Sequence, residues 1–344
     1  MARGGDAGPA AVVARPMTED STLLPPEAVD RCNSFDGVWV PSQWNAELFA
    51  RSGVGWSRLR VLTEAVDVSF WRPGMAGEPD CAASQRLAAF RRVRARAASK
   101  RHVFLSVFKW EERKNWQALI RAFFSEFAGE EGVMLWVKTS RYMNRDPWSE
   151  LSYFALNNLG VTEEDLAAVT LSDKRLRAEE LRCLYNWADA FVLPTRGEGF
   201  GLPLAEAMAS GLPALSSDFG GSRELVRSAG VPLNGTELGG AFEVHPLSLR
   251  RAMRRSVQGR YRKLGTKARA HVVAQHAPEV VARRLVELVA EVLSGAPGNH
   301  GGAVGELPTW GLAAAATAMA MAALWLMRRA AWRHRAMRGQ EKLD

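Results

Sequence analysis

The stretch Thr195-Arg196-Gly197-Glu198-Gly199-Phe200-Gly201-Leu202-Pro203-Leu204-Ala205-Glu206-Ala207-Met208 decides the fold of this chain. It follows the short apolar run Ala190–Pro194 and opens a helix, with Pro203 suited to the first turn. Gly197, Gly199 and Gly201 let backbone approach a ligand closely. The unpaired N–H groups of a helix start then make an anion site that suits a diphosphate. Glu206, early in the helix, is within reach of a ribose, and Glu198, in the loop before it, stands where a sugar would project. The glycines do not form the G-x-G-x-x-G pattern of dinucleotide sites, because Leu202 follows Gly201 directly. Spacing alone leaves simpler readings open: Glu206 as a helix-start carboxylate that interacts favourably with the helix dipole, and Glu198 as a solvated loop residue.

Outward from this stretch, short apolar runs alternate with helical patterns. The runs are His102–Phe108, Gly132–Lys138, Ala168–Ser172, Ala190–Pro194 and Leu212–Ser216. Amphipathic segments such as Trp116–Phe127 and Ala178–Ala188 lie between them, and a helical segment over Pro278–Leu293 closes the globular part. Buried strands alternating with helices imply an α/β fold: a Rossmann-like, doubly wound parallel sheet with helices on both faces. Ligands of such a sheet sit beyond the carboxyl ends of its strands. A second cluster, Lys109-Trp110-Glu111-Glu112-Arg113-Lys114-Asn115-Trp116, follows the first of these strands and is directed at the same crevice. Its lysines could neutralise a departing diphosphate; a polar loop capping a helix is the plainer reading.

The chain has 344 residues, a formal net charge of +8, 12 Trp and three cysteines. A basic balance suits anionic ligands. No basic motif interleaved with aromatics and no zinc-finger spacing points to nucleic acid. The tryptophans fit sugar clefts and membrane interfaces equally. Cys32, Cys81 and Cys183 are far apart and odd in number, which predicts buried thiols rather than a disulfide framework or a metal site. Residues 1–16 read as disordered, and 76–101 as a basic linker whose Arg86, Arg91, Arg92, Arg94, Arg96, Lys100 and Arg101 surround Leu87, Phe90 and Val93 at helical spacing.

The whole span 16–293 resembles the retaining glycosyltransferases of family 4, also called group 1. The matching text is Cys32-Asn-Ser-Phe-Asp-Gly-Val-Trp-Val-Pro-Ser-Gln-Trp44, Val66-Asp67-Val-Ser-Phe70-Trp-Arg-Pro73, Phe104-Leu-Ser-Val-Phe-Lys109 through Lys114, Glu180-Leu181, Trp187-Ala-Asp189, the Glu198–Glu206 segment and Gly220-Gly221-Ser-Arg-Glu224. The resemblance implies that residues 102–295 are the nucleotide-sugar-binding, C-terminal half of a GT-B fold, and that 17–75 are a remnant of the acceptor domain with a linker. It assigns Glu198 to the donor sugar and Glu206 to the ribose. Backbone around Gly199, Phe200, Gly201 and Leu202 would approach sugar or phosphates, Lys109 and Lys114 would clamp the diphosphate, and the base would lie near Leu171. Lys stands at 109 where the family has Arg, replacing a planar fork by a point charge. Phe108 and Asn115 stand where glycines are common. The donor implied is a GDP- or UDP-linked hexose, with GDP-mannose and UDP-glucose fitting equally, used without metal or cofactor. The acceptor is an unidentified glycan, lipid or protein.

Two departures matter. The opening strand, glycine-rich loop and histidine of the family's acceptor domain have no counterpart here. The chain is then a fragment, or another chain supplies that face, or it is a membrane-tethered module that binds nucleotide sugars without transferring. The second is the C-terminus. Beyond a Gly-rich spacer at 296–308, the uncharged run Trp310–Met327 predicts a membrane-spanning helix over 309–328, followed by a basic tail at 329–344. A single-pass, endomembrane protein is the resulting expectation.

Overall fold

The computed structural model describes residues 11–74, 77–96, 102–130 and 132–294. Its contacts divide the chain into two compact units. The first comprises the described residues up to Thr18, Thr22–Ala65, and those from His276 onward. Its sheet has three parallel strands in the order β1 (Val13–Ala14), β2 (Gly37–Val40) and β3 (Leu59–Val61). All four residues of β2 are buried, as a central parallel strand with apolar side chains on both faces requires. Ser42, just beyond this strand, caps the helix Gln43–Arg51, its hydroxyl accepting from the Asn45 N–H at 3.1 Å. The helix Pro278–Leu293 packs Val281 and Leu288 on Trp39 and Leu62. That helix therefore belongs to the first unit, not to the nucleotide-binding domain it was expected to close. Val13 and Ala14 were expected in a disordered end, yet they pair with Gly37 and Val38. A two-residue strand has no periodicity from which it could be read.

The second unit holds Glu19–Ser21 and Val66–Gln275. Six parallel strands form its sheet: β4 (His102–Val107), β5 (Val133–Lys138), β6 (Val169–Ser172), β7 (Ala190–Leu193), β8 (Ala214–Ser217) and β9 (Val231–Leu233). Their spatial order is β6-β5-β4-β7-β8-β9. This is the expected doubly wound, Rossmann-like sheet. The first five strands fall on the five apolar runs. Strand order reverses between β4 and β7, and the crevice of such a sheet opens there, at the strands' carboxyl ends. Phe104, Leu105, Trp136, Phe191, Val192 and Leu215 make the sheet's buried interior. The helix Trp116–Phe127 covers it with Leu119, Ile120, Phe123 and Phe127, the apolar face its spacing predicts. An antiparallel hairpin, β10 (Gly235–Leu238) and β11 (Ala241–Val244), turns at Gly239 and Gly240, whose φ of 57° and 86° favour glycine.

Two expectations are corrected. Cys81 and Cys183 are not separate thiols: they form a disulfide between the helices Pro79–Ala83 and Ala178–Trp187. The fold brings together residues 102 positions apart, which spacing along the chain does not reveal. Cys32 is free and buried. The second correction concerns the membrane. No helix among the described residues is long and apolar enough to cross one. The run at 309–328 lies outside the described residues, and eight of the 18 residues of Trp310–Met327 are alanine, a side chain that adds little to insertion. The transmembrane tether, the membrane partner and the single-pass endomembrane location built on them are withdrawn. The basic segment at 86–101 does contain a helix, Ala88–Arg96, whose Phe90 is fully buried against Trp136.

Candidate functional site

Two loops meet at the reversal point. One leaves β4 and runs from Phe108 to Asn115; the other leaves β7 and runs from Pro194 to Gly201. Backbone joins them: Arg196 N–H donates to the Arg113 carbonyl at 2.7 Å, and the Thr195 hydroxyl bonds the same carbonyl at 3.1 Å. Across this junction Lys114 Nζ lies 2.6 Å from Glu198 Oε1. Both side chains are largely buried, at 11% and 7% exposure, so the pair is shielded from bulk water.

Glu198 is held from beneath. Its carbonyl accepts from Gly221 N–H at 2.7 Å. A Cβ on Gly220 would come within 3.0 Å of the Glu198 backbone, and Gly220 has φ +71°. The Gly220-Gly221 pair thus serves as a close-packing floor that fixes where the carboxylate points. Gly201, at φ +89°, turns the loop into the helix Leu202–Ala209. The first N–H groups of a helix have no partner inside it, and Pro203 gives up one of them at no cost. Phe200 is buried.

Glu206 is 8% exposed and receives a hydrogen bond at 3.2 Å from the hydroxyl of Tyr185. Tyr185 is fully buried between Trp71 and Phe191. Burial, and then the neighbouring Glu206 carboxylate, push the Tyr185 hydroxyl well above its ordinary pKa, so it stays a neutral donor. Leu171 lies half-buried on the edge strand β6, opposite Val137. Beside it, the buried Lys138 at the end of β5 is pulled down to about 8 by desolvation, against the attraction of Asp173.

The structure brings together Glu198, Lys114 and the Gly199–Leu202 backbone. It sets Lys109 elsewhere: that side chain is exposed, with Nζ 4.1 Å from the centre of the Tyr142 ring. The guanidinium nearest the pair is Arg113, which donates to the Gly197 carbonyl at 2.7 Å and stands 3.8 Å from Glu198 Oε2. It also pairs with Glu111 at 2.7 Å and with Glu19 at 2.9 Å. Sequence reasoning passed over Arg113, Tyr185 and Glu19. The one signal available was Arg113 standing next to Lys114. Beneath the β4 loop, Trp110 stacks on Trp116 at 4.5 Å and near Phe108 at 6.0 Å. These tryptophans pack the loop from inside. Asn115 adopts the left-handed conformation, φ 54°, at the start of the helix Trp116–Phe127, which accounts for the glycines common at this place.

A family model described as "Glycosyl transferases group 1" matches residues 99–241. The chain is 42% identical over 67 residues to the lipopolysaccharide core biosynthesis mannosyltransferase LpsB of Rhizobium meliloti, a match that covers 19% of each protein. Among solved structures, a sucrose-phosphate synthase of Thermosynechococcus elongatus aligns with TM-score 0.59 and 21% identity over 78% of this chain and 61% of that one. Anabaena Alr3699/HepE in complex with UDP-glucose aligns with TM-score 0.61 and 18% identity, over 81% and 72%. The chain thus spans less than two thirds of the first of these relatives in either comparison. Residues 99–241 thus match the glycosyl transferases group 1 family, and the unit holding them has the fold of the C-terminal half of a GT-B glycosyltransferase.

Proposed function

We propose that this chain binds a nucleoside diphosphate sugar and transfers its hexosyl group, with retention of configuration, to a hydroxyl of a glycan, lipid or protein. The observation that carries the reading is the 2.6 Å contact between Lys114 and Glu198 at the point where strand order reverses. A shielded cation beside a carboxylate offers one group to a phosphate and one to sugar hydroxyls, a few ångströms apart. In this reading Glu198 accepts hydrogen bonds from the sugar and Glu206 from the ribose. Lys114, Arg113 and the helix-start N–H groups around Gly201 and Leu202 take the diphosphate, and the base lies toward Leu171. Lys109 can join only by leaving the Tyr142 ring.

The bond between the sugar's anomeric carbon and the β-phosphate oxygen breaks, and its electron pair leaves with the nucleoside diphosphate. The acceptor oxygen bonds to that carbon from the same face, and its proton passes to the departing phosphate. Arg113 and Lys114 are fixed charges placed where negative charge grows, so they stabilise the transition state more than the ground state. The reading needs no metal, since these cations carry the charge. LpsB is named a mannosyltransferase and the HepE structure holds UDP-glucose, so GDP-mannose and UDP-glucose are the donors to test first.

The test is release of UDP or GDP from these donors by the full chain, with glycan, lipid and protein fractions as acceptors. Acceptor-dependent release, abolished in Glu198→Gln, is expected. A chain that binds the donor yet releases nucleotide with no fraction would overturn transfer and leave a binding module.

A further inference from the structure

Glu19, Asp20 and Ser21 group with the second unit, although the chain on either side belongs to the first. This three-residue strap is held at both ends. Ser21 N–H donates to the Gly240 carbonyl at 2.9 Å, and its hydroxyl bonds Glu237, so the hairpin grips one end. At the other end the Glu19 backbone lies flat on Gly197: a Cβ there would stand 1.8 Å from the Glu19 carbonyl oxygen. Gly197 is therefore required by the strap's close approach. From this seat Glu19 Oε2 reaches Arg113 Nε at 2.9 Å.

The charges around this contact do not leave room for both Glu19 and a diphosphate. Arg113 and Lys114 face three carboxylates, Glu19, Glu111 and Glu198. A donor adds two more negative charges. Glu198 is clamped by its backbone and Glu111 lies on the cation loop itself. Glu19 is about half exposed and sits on a separate strap, so it is the carboxylate able to leave. We infer that Glu19 is a placeholder for the donor's phosphate: it occupies Arg113 while the site is empty and must release it for the sugar nucleotide to bind. The inference rests on the reading of the site as one for nucleoside diphosphate sugars.

Glu19 also titrates in a direction that makes the idea testable. Desolvation raises its pKa, Glu198 and Glu111 add to this, and Arg113 and Lys114 oppose it. Acidification therefore protonates Glu19 early and frees Arg113. The diphosphate diester of a sugar nucleotide keeps both charges through this range.

The experiment is calorimetric titration of the full chain and of Glu19→Gln with UDP-glucose and with GDP-mannose, at pH 7.5 and about pH 5.5. The isosteric variant is expected to bind about two- to fivefold more tightly at pH 7.5, the scale of a partly exposed ion pair. The gap should narrow at the lower pH. Ser21→Ala, which loosens the strap without touching Arg113, should shift affinity the same way by less. Equal affinities would overturn the inference, and so would weaker binding by Glu19→Gln, which would make Glu19 a contact of the bound donor. Failure of the folded wild-type chain to bind either compound would remove the donor-site reading itself, and the placeholder with it.

Discussion

Lys114 and Glu198 are 84 residues apart in the chain, and their side chains meet at 2.6 Å in a nearly dry setting. Removing one partner of such a pair strands the other. Lys114→Met is therefore expected to destabilise the second unit by about 2–4 kcal/mol, with Arg113 at 3.8 Å limiting the loss. Glu198→Gln, which keeps shape and an acceptor oxygen, should cost less than half of that. Urea denaturation of both variants and the wild type checks the ordering; variants as stable as the wild type would mean that Lys114 and Glu198 do not depend on each other.

Tyr185→Phe removes the hydroxyl that donates to Glu206 at 3.2 Å. The ring remains packed between Trp71 and Phe191, so the fold should persist. Nucleotide affinity is expected to fall about three- to tenfold, since Glu206 loses one of the bonds that orient it. A calorimetric titration that finds wild-type affinity would detach Tyr185 from the site.

Lys138 gives a pH signature. Its folded-state pKa of about 8 lies below the usual 10.5, so the unfolded chain binds more protons between these values. Stability from this group therefore rises as pH climbs from about 8 toward 10.5, and below 8 the cost of burying the ammonium is fully present. Lys138→Met should stabilise the chain at pH 7 by an amount on the order of 3 kcal/mol and flatten the rise above pH 8. Thermal unfolding across pH 7–10 in both proteins measures this. A parallel pair of curves would show that Lys138 carries no such penalty.

The Cys81–Cys183 disulfide closes a loop 102 residues in span. Cys81→Ser with Cys183→Ser is expected to cost about 2–5 kcal/mol. Reductant should lower the unfolding midpoint of the wild type to that of the double variant. A midpoint indifferent to reductant would contradict the cross-link.

Much of the sheet was legible because its strands are uninterrupted apolar runs, the mark of burial on both faces. Strand β9 was not, since Val231-Pro232-Leu233 is three residues long and carries a proline. The hairpin after it was lost because Gly235-Thr236-Glu237-Leu238 is largely exposed and makes no apolar run. At the site, Glu198, Glu206 and Lys114 sit in short segments at strand ends, where local reading works. Arg113, Tyr185 and Glu19 owe their roles to partners 84, 21 and 94 residues away, which no local pattern encodes. Lys109 illustrates the converse: matching by position put it in the clamp, while its side chain rests on Tyr142. The disulfide and the first unit's use of the helix Pro278–Leu293 are long-range pairings of the same kind.

The central claim is that the crevice at the β4–β7 reversal holds a nucleoside diphosphate. Titration of the full chain with UDP and with GDP tests it most directly, alongside Glu206→Ala. Micromolar binding of one nucleotide is predicted, weakened about 10- to 100-fold in the variant by loss of a charge-assisted hydrogen bond to the ribose. A folded chain that binds neither nucleotide, or a folded variant with unchanged affinity, would contradict it.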